Sequence, residues 1–225
     1  MRRISYTLGP SRDMVDRELL RQGWFSYKGY ITMQHPNITE CFKELFRQTK
    51  PVRVLEIGTS HAGLTLLLRD TLDELGMNST KIITWDIHNI GKTNAESLGY
   101  STDAIEFRVE NIFNYGEATL IPEKHDGVAS IIASEGTTIV LCDGANKMHE
   151  LTALSPLLKS GDVIMGHDYH PDKELLNSMS NEEKLDKNLW LWCETWDSDL
   201  KVPADVIPYM KSEFTQVAWL CMRRA

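Results

Sequence analysis

The sequence predicts an α/β fold with a doubly wound, mostly parallel sheet, helices on both faces and an antiparallel edge strand near the C-terminus. Three observations predict it. Short, β-branched apolar runs recur and end at or beside glycine or aspartate, as in VRVLEIG, KIITWDI and TTIVLCDG. Helix-length segments separate them, which implies βαβ units. The runs are continuously apolar rather than alternating, as expected of strands covered on both faces.

The elements follow in order within a single domain, residues 1–225. Residues 1–50 form an N-terminal cap and helical region ahead of an α/β core at 51–225. Residues 1–36 mix charges, aromatics and glycines, and the stretch GWFSYKGYITMQHP either caps a ligand site or covers the sheet. A helix is expected over 37–48. Asn37 is its cap, Glu40 stands three residues on, and Ile38, Cys41, Phe42, Leu45 and Phe46 have helical spacing. Strand 52–58 and helix 62–76 come next, then strands at 81–87, 104–109 and 137–144. Segment 145–161 reads as a helix that Pro156 bends or breaks, because proline lacks the N–H that an inner turn needs. A fifth strand covers 162–168. The sixth, 214–224, lacks a clear preceding helix and is the expected antiparallel edge addition. The polar run 173–188 is expected to be a solvated helix or loop.

Composition narrows the function. The chain has 225 residues, 42% hydrophobic and 25% charged, with a net charge of −8. That balance argues against a nucleic-acid surface, which needs clustered Lys and Arg. No apolar run approaches a membrane span, and the N-terminus lacks the apolar core of a secretory signal. Cys41, Cys142, Cys193 and Cys221 show no C-x-x-C spacing, so a reducing, cytoplasmic setting is the simpler reading. The expected partner is a small-molecule substrate. Trp190, Trp192 and Trp196 form a lid over it, or are buried in the core or in the interface of a homo-oligomer.

Ligands of open α/β sheets bind beyond the carboxyl ends of the strands. The first such turn is LEIGTSHAGLT, where Gly58 and Gly63 permit a tight turn and close ligand approach. Two glycines five positions apart do not make the G-x-G-x-x-G of a dinucleotide site. Glu56 instead suits a ligand with a positive amino group. Asp86, ending the second strand, can accept both hydroxyls of a ribose. Asp143 ends the fourth strand, and His167 and Asp168 end the fifth. If those strands are neighbours, the carboxylates converge and suffice for a weak Mg²⁺ site.

Together these residues resemble a known family. E-x-G with a later glycine, followed by an acidic end to strand two, is similar to motif I and the ribose site of class I S-adenosylmethionine-dependent methyltransferases. The wider stretches GYITMQHPNITECFKELFRQTKPVRVLEIGTSHAGLT and LCDGANKMHELTALSPLLKSGDVIMGHDY resemble the cephalosporin hydroxylase-like and macrocin O-methyltransferase-like branch, over roughly 30 to 170. The resemblance implies a Rossmann-like methyltransferase fold. It implies S-adenosylmethionine-dependent transfer to a small-molecule acceptor, an oxygen on a sugar, polyketide or similar metabolite. Glu56, Gly58, Thr59 and Ser60 would hold the methionine part of the cofactor. Asp86 would bind the ribose and Asn111 would approach the adenine. Asp143 would serve cofactor, metal and catalysis at once, and a divalent metal, Mg²⁺ foremost, would sit at Asp143, His167 and Asp168.

Two residues depart from that pattern. His167 stands where the first of two paired acids is expected, and imidazole suits Zn²⁺, Fe²⁺ or Ni²⁺ better than Mg²⁺. Asn146 stands where that branch has its histidine, and an amide is no general base. Lys147, His149 or His170 could take that role, and Asp143, His167 and Lys147 form the expected catalytic set. Two alternatives remain open at this point: a non-catalytic cofactor- or nucleotide-binding module, and a metal-dependent oxygenase using His167 and Asp168, whose 2-His-1-carboxylate form would take His167, His170 and either Asp143 or Asp168.

Overall fold

The structure is a computed structural model and describes residues 25–187 and 189–225. A seven-stranded sheet forms its centre. The strands are β1 (Arg53–Ile57), β2 (Lys81–Asp86), β3 (Ile105–Val109), β4 (Thr138–Cys142), β5 (Val163–Gly166), β6 (Val206–Pro208) and β7 (Leu220–Arg224), in the order β6-β7-β5-β4-β1-β2-β3. Strands β1 to β5 are parallel. Strand β7 runs antiparallel to both β5 and β6. The expected edge strand is therefore interior, and β6 is the edge.

The helices are α1 (Ile38–Thr49), α2 (Gly63–Glu74), α3 (Ile90–Ser97), α4 (Pro122–Ala133), α5 (Lys147–Leu154), α6 (Lys173–Ser178), α7 (Asn181–Asp186) and α8 (Lys211–Thr215). Successive strand residues feed opposite faces. Val54, Ile82 and Leu141 join a core with α1, α2 and α8, while Leu55, Ile83 and Val140 join one with α4 and α5. Each fully buried Leu or Ile contributes roughly 1.5–3 kcal/mol by leaving water. The strands read as unbroken apolar runs because both faces are covered in this way.

Several elements differ from expectation, each for a local reason. Segment 145–161 is helical only over α5, followed by a 3₁₀ turn at Ser155–Leu157 that contains Pro156. Residues 214–219 are not strand: Phe214 lies in α8, where its buried ring meets Phe42 edge-on. Asn37 stands at the cap position of α1 without a side-chain cap bond. Helices α3 and α4 carry only two buried residues each, too few to show a periodic stripe. The run 173–188 folds as α6 and α7, the latter opened by a capping box between Ser180 and Glu183. Among the described residues, no helix is long and apolar enough to cross a membrane.

The strand order reverses between β1 and β4, and their carboxyl ends flank the crevice where such sheets bind ligands.

Candidate functional site

A cavity of about 760 Å³ opens at that crevice, in the upper part of the range for small-molecule sites. The turn after β1 forms one wall. Gly58 has φ +94°, and an added Cβ would lie 2.3 Å from the Asp143 carbonyl oxygen, so only glycine fits. Ser60 and Ala62 also adopt positive φ, 49° and 66°. The turn is pinned from β2: Asp86 accepts hydrogen bonds from the Ser60 amide at 2.8 Å and the His88 amide at 2.9 Å. Thr59 and Thr84 share a hydroxyl hydrogen bond of 2.5 Å. Gly58, Thr59, Ser60, Asp86 and Asn111 all line the cavity, with Ile87, Ile112 and Phe113 as apolar neighbours.

Two expectations about this wall need correction. Glu56 is fully buried and accepts from the Thr65 hydroxyl at 2.6 Å behind the turn, so it does not line the cavity. Burial raises its pKa to about 7, against the pull of the Thr65 hydrogen bond. It is a support for α2 rather than a contact for an amino group. Gly63 does not make room for a ligand alone, because an added Cβ would strike the Ile31 carbonyl oxygen at 2.4 Å. It admits the chain's own N-terminal hairpin, Ser26–Tyr27 paired with Tyr30–Ile31. Asn111 has its side-chain amide tied to the Phe113 backbone, accepting at 3.1 Å and donating at 3.0 Å. It lines the cavity as part of a rigid turn, and remains the residue expected to approach the adenine.

The hairpin also decides between the two readings of GYITMQHP. Ile31, Thr32 and Met33 line the cavity. Gln34, wholly buried, continues inward and donates to Asp143 Oδ2 at 2.9 Å while accepting from Trp219 Nε1 at 2.7 Å. The segment caps the site, and α1 behind it covers the sheet.

The opposite wall is a connected polar cluster. Asp143 Oδ1 lies 2.8 Å from His167 Nδ1. The His167 ring is buried, stacked on Trp219 at 4.9 Å and tilted against Trp190 at 5.3 Å. Its Nε2 is buried and has no hydrogen-bond partner among the described residues. Asp168 has φ +55°, a conformation costly for a non-glycine residue. Its carbonyl, accepting from the amides of Glu194 and Thr195, holds it there. Its carboxylate accepts from Trp190 Nε1 at 2.7 Å and meets Lys147 Nζ at 2.9 Å. Lys147 also donates to Glu194 at 2.6 Å.

Charge follows from these contacts. Burial works against the His167 imidazolium, but Asp143 and Asp168 outweigh it and raise its pKa. Burial likewise works against the Lys147 ammonium, and Asp143, Asp168 and Glu194 raise its pKa well above the ordinary lysine range. Lys147 is therefore a fixed cation and not the general base expected of it. The burial of Asp168 is outweighed by His167 and Lys147, so its pKa falls.

The other candidates separate. Asn146 caps α5, accepting from the His149 amide at 3.1 Å. His170 lies against a different recess, of about 170 Å³, with its Nδ1 facing the Asp172 backbone. The iron-site alternative that joins His167 and His170 on one centre is thus not assembled. Trp190 and Trp192 line the cavity, whereas Trp196 does not. One member invisible to sequence reasoning is Glu150, fully buried, which accepts from the Gly144 and Asn146 amides and the Tyr115 hydroxyl and so shapes the loop after β4.

The cavity, the glycine turn and the half-buried Asp86 suit an adenosyl ligand. The metal does not fit: among the described residues no group of three or more His, Cys, Asp or Glu takes up metal-holding geometry. The carboxylate oxygens of Asp143 and Asp168 are each occupied by a donor from Gln34, His167, Trp190 or Lys147.

No family model and no curated protein matches the chain. Solved structures do. The apo structure of CmcI matches with a TM-score of 0.55 at 14% identity, covering 89% of this chain and 76% of that one. CmcI described as Mg-SAM matches at 0.54 and 14%, covering 89% and 77%. The S-adenosylmethionine-dependent methyltransferase SibL in its apo form matches at 0.51 and 14%, covering 83% and 54%. These likenesses establish the fold.

Proposed function

Proceeding from a chain with the class I methyltransferase fold, we propose that it transfers a methyl group from S-adenosylmethionine to an oxygen of a small-molecule acceptor, such as a sugar, a polyketide or a similar metabolite. The observation that carries the reading is Asp86 closing on the Ser60 amide at the wall of a 760 Å³ cavity, at the reversal of the strand order. A carboxylate so placed retains lone pairs for both ribose hydroxyls. The Gly58–Ser60 backbone lets the methionine part approach closely, and Ile87, Ile112 and Phe113 provide apolar surface for the adenine.

When bound, S-adenosylmethionine supplies an electrophilic methyl group on a sulfonium. The chain's own residues then have three tasks. Asp143 would accept the acceptor's hydroxyl proton on a carboxylate lone pair that Gln34 and His167 leave free, while the bound cofactor would supply the methyl group and depart as S-adenosylhomocysteine. Gln34 and His167 fix both oxygens of that carboxylate, and alignment supplies much of the rate. Trp190 and Trp192 give the acceptor an apolar wall.

Titration calorimetry with S-adenosylmethionine tests the reading. One site per chain is expected, with Asp143→Asn keeping affinity within a few-fold while turnover falls by about 10²–10⁴ once an acceptor is in hand. No binding at about 1 mM ligand overturns the proposal.

A further inference from the structure

The family pattern places a divalent cation between the acid after β4 and the paired acids after β5. Here that position already carries charge. Lys147, four residues after Asp143, lies 2.9 Å from Asp168 Oδ2 and 2.6 Å from Glu194 Oε1. The residue that replaces the first paired acid is His167, whose Nδ1 is 2.8 Å from Asp143 and 3.5 Å from Asp168. One anion is thus lost from the expected ligand set and two cationic or protonatable groups face the two that remain. Gln34 and Trp190 add neutral donors, to Asp143 Oδ2 and Asp168 Oδ1.

A hard divalent ion needs about six oxygen ligands and binds tightly only where several carry negative charge. To enter here it would have to displace N–H donors that are themselves buried or partly buried. It would also sit within a few ångströms of an ammonium that it repels. Lys147 lines the cavity and uses two of its three N–H bonds on Asp168 and Glu194. The third is left for an electronegative oxygen of a bound molecule.

We infer that Lys147 is a resident cation that takes the place of a divalent metal, so that this site excludes Mg²⁺ and Mn²⁺ and offers its ammonium to an acceptor oxygen instead. The inference concerns the same site as the proposed methyl transfer and rests on that reading only for the identity of the acceptor. Its metal test needs no turnover.

The experiment is a Mn²⁺ titration followed by electron paramagnetic resonance on the full chain after chelator treatment. Wild type, Lys147→Ala, Lys147→Gln, Lys147→Arg, Asp168→Asn and the double variant Lys147→Ala/Asp168→Asn are compared, with folding checked by circular dichroism. Wild type and Lys147→Arg should bind no Mn²⁺ at up to about 1 mM. The folded members of the Lys147→Ala and Lys147→Gln pair should gain one Mn²⁺, and the double variant should lose it again. Stoichiometric Mn²⁺ on wild type, abolished by Asp168→Asn, overturns the inference. So does a folded Lys147→Ala or Lys147→Gln that still excludes the ion. S-adenosylmethionine calorimetry on the same samples separates the two proposals, because cofactor binding can fail while metal exclusion holds.

Discussion

On the β1–β2 side of the crevice, the wall is one short turn held by residues close in sequence: Gly58, Ser60 and an aspartate 26 positions on. On the β4–β5 side, the wall is a side-chain cluster gathered from the whole chain, with Gln34, Asp143, Lys147, His167, Asp168, Trp190, Glu194 and Trp219 all in contact. The first wall is backbone shape, which a glycine and a cap can specify locally. The second is charge balance in a poorly hydrated place, where each group is tolerable only because its partner is present. A backbone turn suits a ligand recognised by close approach. A charge cluster suits the side where a proton must move.

Three substitutions would break or sharpen this contrast. The largest effect belongs to Gly58→Ala. With φ +94° and no space beside the Asp143 carbonyl, it should cost about 3 kcal/mol in stability and weaken S-adenosylmethionine binding by roughly 100-fold. Thermal melts and calorimetry on the same sample check both. Next is Gln34→Leu, which leaves Trp219 Nε1 and an Asp143 oxygen unpartnered inside the protein. A stability loss of about 2 kcal/mol is expected in denaturant titration, with cofactor affinity changed less than turnover. Equal losses in both would mean that the two walls are not independent. The smallest is Asp86→Ala, about tenfold in cofactor affinity by calorimetry, with turnover at saturating cofactor nearly unchanged. Undiminished affinity would place the ribose elsewhere.

The two walls also differ in how far the sequence reveals them. The strand-turn-helix at 52–76 and the acid ending β2 were legible, because strand period, glycine and an acidic end are local signals. Asp143, His167 and Asp168 were legible as strand-end residues, and the structure does bring them together. Their partners were not. Gln34 reads as part of an irregular leader, Trp219 as an ordinary strand residue and Glu194 as part of a tryptophan-rich run. The β7-β5 pairing brings Trp219 against His167, while Gln34 arrives from the N-terminal segment and Glu194 from the loop after α7. Glu56 was misplaced for a related reason. Strand alternation sets its carboxylate toward Thr65, whereas proximity to Gly58 in sequence suggests the ligand. Helices α3 and α4 went unseen because their apolar stripes are too thin.

The Gln34 bridge has a consequence for how the chain becomes active. Its bonds to Asp143 and Trp219 span 109 and 185 positions of sequence. Contacts of such separation form late, since the loops they close are long. The turn after β1 rests on β2 and on the Asp143 backbone, whereas the Asp143 carboxylate needs Gln34 from the N-terminal segment and His167 from the end of β5 as well. Turnover is therefore expected to be a stricter report of complete folding than cofactor binding.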